Sequence, residues 1–289
     1  MKDIKGFCKL FDLNVPVYSE FTYYIEQLSK VPKYSNLPEL VALYESAESE
    51  IEDLYKYRIE KSEEIINFLK STMCYEELIY DNLIPDLPTT KNFHYDEGRK
   101  YISIDLKKAN WLSVKKYDRY FINELGNTYE DFIDKFKMPD VFKHSKSFRQ
   151  FIFGNINPKR QIKVQRSMIQ EVIDQVGNSL QLECIRQDEV IYSFEDFKDI
   201  IPIFAAYNGS NNYNVKIFSV DRVEDFKIEN YYNINGDKTG RSVVGCNGNL
   251  YFINLKKYIT NEELDIRDLY FRTESRLAIW FDEKLKISL

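Results

Sequence analysis

The chain has 289 residues, 44% hydrophobic and 15% aromatic, enough for one large domain or two small ones, and this excludes a disordered chain. A net charge of −6 excludes a simple polycation, and two histidines with four scattered cysteines (Cys8, Cys74, Cys184, Cys246) make no zinc-binding pattern. No apolar run reaches the roughly 18 residues of a membrane span, the start lacks a secretion signal, and the cysteines read as reduced thiols, so a cytoplasmic protein without membrane contact is expected. Abundant Tyr, Phe, Asn, Ile and Lys with little Ala suit an AT-rich viral or phage source, which would make the compartment a host cytoplasm.

Residues 39–70 show apolar positions at helical spacing (Leu40, Leu43, Ala47, Ile51, Leu54, Ile65, Ile66, Leu69) and predict one long amphipathic helix, with Pro38 in its first turn and Asn36 before it as a cap. The pattern is not a strict heptad, which favours packing over a coiled coil, with a protein partner on this helix as the alternative. Two prolines and a glycine in "YDNLIPDLPTTKNFHYDEG" mark a boundary near residue 95, giving a helical region 1–95, a core 96–207 and a β-rich region 208–289. "RKYISIDL" alternates as a strand, "KKANWLSVKKYD" reads as a helix, and "LGNTYEDFIDKFKMP" and "DVFKHSKSFRQFIFG" as two short helices.

Pro158 and Gly177 frame a further helix. "LQLECIRQDEVIYSF" reads as a hairpin, followed by a helix from about 194 to 200. Beyond the turn-rich "YNGSNNYN" the pattern becomes β-rich, with "NGDKTG" and "NGN" as hairpin turns, a short helix near 260–269 and a closing strand "SRLAIWF".

Charge is segregated along the chain. Residues 99–166 hold 16 Lys or Arg against 7 Asp or Glu, so the rest of this acidic protein is strongly negative. A polyanion would be steered to the basic block, while solvated lysines paired with acidic helices are the plainer account. On the helix at 158–176, Lys159, Lys163, Arg166 and Gln170 share one face with Arg160 beside them, and Ile162, Ile169, Val172, Ile173 and Val176 form an apolar face. A basic stripe on a rigid element suits triphosphate or backbone phosphate.

Three carboxylates complete the pattern: Asp105 ends the strand "YISID", and Asp188 and Glu189 sit in the hairpin turn after the basic helix. This order of strand-borne Asp, basic helix and hairpin-borne acidic pair resembles the palm of templated nucleic-acid polymerases. The resemblance covers roughly residues 99–200, and the Asp-Glu pair is most similar to the bacterial repair-polymerase branch (family A). For that stretch it implies a palm-like antiparallel sheet carrying helices on one face; with the helical N-terminal region and the β-rich C-terminal region read from the pattern on either side, the expected fold is α+β. It also implies nucleotidyl transfer to a nucleic-acid 3′ end by a two-metal mechanism. Asp105 and Asp188 would then hold two Mg²⁺ or Mn²⁺ ions, with Glu189 as a supporting ligand or base. Lys159, Lys163 and Arg166 would bind the nucleoside triphosphate, Arg160 would lie near the backbone of a primer, template or single strand, and Asn110 by the sugar. The family's basic helix ends in an aromatic that stacks on the base, and "SMIQEVIDQVG" has none.

Two other functions fit parts of the pattern. A nucleic-acid-binding or virion-associated protein would use the basic face alone, with Asp188-Glu189 an ordinary turn and Asp105 capping the helix that follows. A metal-dependent nuclease would use Asp188, Glu189 and Lys198. Tyr231, Tyr232 and Phe226 read as core rather than as a base-stacking platform, His144 as a surface residue, and Trp111 as buried against the hairpin.

Overall fold

The computed structural model describes residues 1–72, 87–91, 93–117, 125–156, 158–223, 225–246, 248–272, 276–281 and 284–287. Most of the expected boundary segment before residue 95, together with Cys74, lies outside them.

The N-terminal helices are α1 (Ile4–Phe11), α2 (Phe21–Ser29), α3 (Leu37–Glu50) and α4 (Leu54–Thr72). The single helix expected over 39–70 is therefore two. Ile51 leaves the helix in an extended conformation, and the Asp53 carboxylate accepts the Lys56 backbone N–H at 2.9 Å, starting α4 afresh. An aspartate competes well for this capping position and poorly for a helix interior, so the acid-rich "ESEIED" breaks the run. Asn36 stands before α3 without a side-chain capping bond. The break lets Leu40, Tyr44 and Ala47 of α3 and Leu54, Ile65 and Leu69 of α4 enter one core.

That core also takes later segments: α5 (Ala109–Tyr117), α6 (Tyr129–Lys135), α7 (Val141–His144), α8 (Lys146–Gly154) and α11 (Tyr251–Leu255). The second of the two helices expected before residue 155 is split into α7 and α8 because the Ser145 side chain caps the latter, accepting from Phe148 N at 3.1 Å. Trp111 belongs here and not against the hairpin: its ring lies 5.4 Å from Phe132 and 5.9 Å from Phe153. On α5, Trp111 and Val114 face the helical core, whereas Leu112 faces the sheet core.

The sheet comprises β1 (Lys100–Leu106), β2 (Gln181–Ile185), β3 (Glu189–Phe194), β4 (Tyr213–Val223), β5 (Phe226–Tyr232) and β6 (Lys238–Val244), in the order β2-β3-β1-β4-β5-β6. Every pairing is antiparallel, so the chain is α+β. Helix α9 (Pro158–Val176) precedes β2, and α10 (Phe197–Tyr207) precedes β4. The first four strands with these helices form a split βαβ arrangement. Ile102, Ile104 and Leu106 of β1 pack with Val164, Met168, Ile169 and Val172 of α9 and Ile200 and Ile203 of α10. The alternate positions face the other way, where Tyr101 joins Tyr95, Ile191, Phe218 and Val220 in a second, aromatic cluster.

Pro158 and Gly177 frame α9 as expected, the glycine at φ +56°. The helix expected at 194–200 begins later, because Phe194 still pairs with Lys100 and the Asp196 side chain caps from Lys198 N. "NGDKTG" joins β5 to β6, but the residues around 248 enter a helical turn, so "NGN" is no hairpin. The expected short helix near 260–269 is a 3₁₀ turn at Ile266–Leu269, and the expected closing strand is the middle of a small sheet, β7 (Tyr270–Arg272), β8 (Leu277–Phe281) and β9 (Lys284–Ile287). Strand β4 lies beyond residue 207 yet pairs along the whole of β1, so the main sheet is continuous there. Cys8, Cys184 and Cys246 are unbridged, and no helix among the described residues is long and apolar enough to cross a membrane.

Phe153 is fully buried against Trp111, Tyr129 and Phe132. Phe153→Ala should destabilise the protein by about 3–5 kcal/mol in urea unfolding; a loss below about 1 kcal/mol would contradict the packing described.

Candidate functional site

The alternation that buries Ile102 and Ile104 sends Ser103 and Asp105 to the opposite face of β1. In the antiparallel register Asp105 stands across from Glu189 on one side and Asn214 on the other. The β2–β3 connection, residues 186–188, is a tight turn whose two central residues, Gln187 and Asp188, are closed off by Arg186 N donating to Glu189 O at 2.8 Å. Leu106 N donates to Asp188 O, also at 2.8 Å, so the loop is stitched to the end of β1. Asp105 and Asp188, 83 positions apart in the sequence, thus occupy adjoining strand ends.

Their electrostatics follow from this proximity. Burial pushes the Asp105 carboxyl up to about 6, and the negative charges of Asp188 and Glu189 add to the effect. Lys216, on the same face of β4, and a hydrogen bond with the Asn214 side chain pull the other way.

Glu189 is differently placed. Ser103 Oγ donates to one of its oxygens at 2.5 Å, and Arg186 Nη1 pairs with the other at 2.5 Å. Arg186 also donates to Tyr95 Oη at 3.2 Å. This carboxylate therefore already has an internal counter-ion. Among the described residues no group of three or more His, Cys, Asp or Glu is arranged to hold a metal ion. Asp105 and Asp188 form the acidic pair of the site, and Glu189 is a partner of Arg186.

Helix α9 carries the basic stripe. From Gln187 back to Gln181 the chain covers about 20 Å of strand, and α9 rises about 1.5 Å per residue on its way to β2, so its residues near 165 lie level with the hairpin loop. A contact confirms this: Gln187 Nε2 donates to Gln165 Oε1. The basic N-terminal half of α9 therefore extends past the carboxylate end of the sheet. Lys159 is exposed, and Lys163 and Arg166 are half-buried. Arg166 Nε is buried without a hydrogen-bond partner among the described residues. Arg160, expected near a nucleic-acid backbone, is instead buried at 7% exposure. The apolar face of the helix is also shifted from expectation: Val164 and Met168 are buried, whereas Ile162 is only half-buried. Gln170 bonds to Asp174.

Asn110 lies in the first turn of α5, and its Oδ1 accepts from Gln165 Nε2 at 3.0 Å. Lys198 does not join the carboxylates, because it follows the far end of β3. His144 is exposed, whereas Phe226, Tyr231 and Tyr232 pack into or against the apolar clusters. Ser103, Lys216, Gln165 and Gln187 also belong to this site, although none was expected from the sequence. Alternation along "YISID" puts Ser103 on the face of Asp105, but Lys216 depends on the β1–β4 register, which no local pattern encodes.

No family model, curated protein or solved structure matches this chain.

The Asp105 environment makes two expectations. Its carboxyl should titrate near pH 6 by carbon NMR, and Asp188→Asn should lower that midpoint. Because the folded value lies above the roughly 3.9 of an unfolded aspartate, the stability from protonated Asp105 is complete below about pH 4 and is lost as pH rises through about 6. Asp105→Asn should therefore be more stable than the parent at pH 7.5, by on the order of 2 kcal/mol, and equal to it near pH 4; equal urea midpoints at both pH values would refute the burial and charge crowding inferred here.

Proposed function

We propose that this chain is a palm-type nucleotidyltransferase that adds nucleotides to a nucleic-acid 3′ end. The observation that carries this reading is the meeting of Asp105 and the Asp188 loop at one end of an antiparallel sheet, with the basic half of α9 extending past that same end. Asp105 and Asp188 fit a hard divalent cation: both are oxygen donors, and their mutual repulsion raises the Asp105 pKa in a way a bound cation would relieve. Glu189 fits less well, since Ser103 and Arg186 hold both of its oxygens. Two Mg²⁺ or Mn²⁺ ions at such a site supply Lewis-acid stabilisation of the attacking and leaving oxygens.

The protein's own groups divide the remaining work. Asp105 must be ionised to act, so its proton has to leave before a cation is held. Lys159, Lys163 and Arg166 neutralise the triphosphate and the charge that builds on departing pyrophosphate, and the buried Arg166 Nε is a donor suited to such an oxyanion. Glu189 keeps Arg186 against the hairpin and so steadies the loop that carries Asp188. The main helical core anchors α5, and with it Asn110 beside the nucleotide.

A non-enzymatic nucleic-acid-binding function is the second reading, favoured by one observation: the Arg186–Glu189 pair removes a carboxylate from ligand duty. Labelled-nucleotide incorporation separates the two. The assay supplies a primed template or a single strand, dNTPs or NTPs, and Mg²⁺ or Mn²⁺. Extension should occur, and Asp105→Asn and Asp188→Asn should each reduce it by about a hundredfold or more. Nucleic-acid binding equal in parent and variants, with no extension under any condition, would establish the binding function instead.

Lys163→Ala should raise the KM for the triphosphate about tenfold with a smaller effect on kcat, as measured by initial rates over nucleotide concentration. An unchanged KM would remove α9 from the nucleotide site.

A further inference from the structure

Gln165 is completely buried on α9, where a side-chain amide is a liability unless it is paired. It is paired in both directions. Gln187 Nε2 donates to Gln165 Oε1, and Gln165 Nε2 donates to Asn110 Oδ1 at 3.0 Å. This line of amides crosses three elements: the β2–β3 loop, α9 and the first turn of α5. Its donors all run one way, from the loop toward Asn110. The Asn110 carbonyl is thereby used inside the protein, which leaves its NH₂ to meet an acceptor oxygen of a ligand.

We propose that Gln165 is a positioning residue that makes Asn110 and the Gln187–Asp188 loop one mechanical unit, so that an oxygen-bearing ligand at Asn110 tightens the loop carrying Asp188. The assignment of that ligand as a nucleoside triphosphate rests on the function proposed above; the linkage itself does not. Hydrogen bonds in series polarise one another, so a ligand oxygen accepting from Asn110 strengthens the bonds behind it. The last of these ends on Gln187, whose chain neighbour is Asp188. Arg186 and Glu189 hold the other side of the same loop, through the 2.8 Å backbone bond from Arg186 N to Glu189 O. Loosening the amide line should therefore appear as faster opening of that bond, although Arg186 does not touch Asn110.

The experiment is residue-resolved hydrogen exchange by NMR, with the Arg186 amide as reporter and the Val220 amide in β4 as control. Asn110→Ala should speed Arg186 exchange about threefold or more and leave Val220 unchanged. In a Gln165→Met background, which keeps the shape and removes the hydrogen bonds, Asn110→Ala should have no further effect. Should Gln165→Met fail to fold, Gln187→Ala cuts the same line at its half-buried end and serves as the background. Unchanged Arg186 exchange in folded Asn110→Ala overturns the proposal, as does an equal acceleration in the two backgrounds. A Mg²⁺–nucleoside triphosphate should slow Arg186 exchange in the parent and not in Gln187→Ala. If the linkage holds but the nucleotide has no effect and no extension is seen, the nucleotidyl-transfer reading fails while the role of Gln165 stands.

Discussion

The pairing register of β1 with β3 is the constraint on which the site depends. It sets Asp105 opposite Glu189 and brings Leu106 N onto Asp188 O. Strand side chains alternate faces, so a slip of one residue would drive Asp105 into the helix-covered core and expose Ile104. The cost of that slip holds the register: Ile102, Ile104 and Leu106 are all buried against α9 and α10, as are Val190 and Tyr192 across from them. The apolar face thus positions the acidic one. The tight hairpin turn adds a second lock, because it leaves no slack in which Asp188 could move away from the end of β1.

Helix α5 joins this sheet to the rest of the molecule. Trp111 and Val114 anchor it in the helical core, and Leu112 anchors it in the sheet core. Helix α9 does the same with polar groups: Gln161 donates to the carbonyls of Phe153 and Ile156 at the end of α8, and one turn later Gln165 reaches α5 and the hairpin. Buried amides demand specific partners where apolar groups accept any neighbour, so they fix the rotation and height of α9. The level of Lys159, Lys163 and Arg166 relative to the carboxylates follows from that placement.

The site also shows how three nearby carboxylates coexist. Glu189 is neutralised within the protein by Arg186, and its second oxygen is satisfied by Ser103. Asp105 is pushed up to about 6 by burial first and by the neighbouring carboxylates second, and Lys216 and Asn214 relieve this only in part. One acid is thus built into the scaffold, whereas Asp105 and Asp188 meet at the strand ends without such a built-in counter-ion pair among the described residues. This asymmetry distinguishes Glu189 from its chain neighbour Asp188 more sharply than their adjacency in the sequence suggests.

Much of this architecture was legible without coordinates. The alternation in "YISID" identifies β1 and its two faces, the Pro158–Gly177 frame delimits α9, and "IRQDEV" marks the tight hairpin, because each signal is local and each is enforced by a steep cost in burial or backbone strain. Local signals failed where capping competed with periodicity: Asp53 breaks the helix expected over 39–70, and Ser145 divides the one before residue 155. They also could not reach what depends on contacts between distant segments. Only the tertiary structure decided that β4 flanks β1 and brings Lys216 beside Asp105, that Arg186 claims Glu189, that Arg160 is buried, and that Gln165 ties Asn110 to the hairpin. The physical reason is common to all four: residue type and spacing determine which side chains share a strand or helix face, whereas the partner across the gap is selected by the packing of the whole chain.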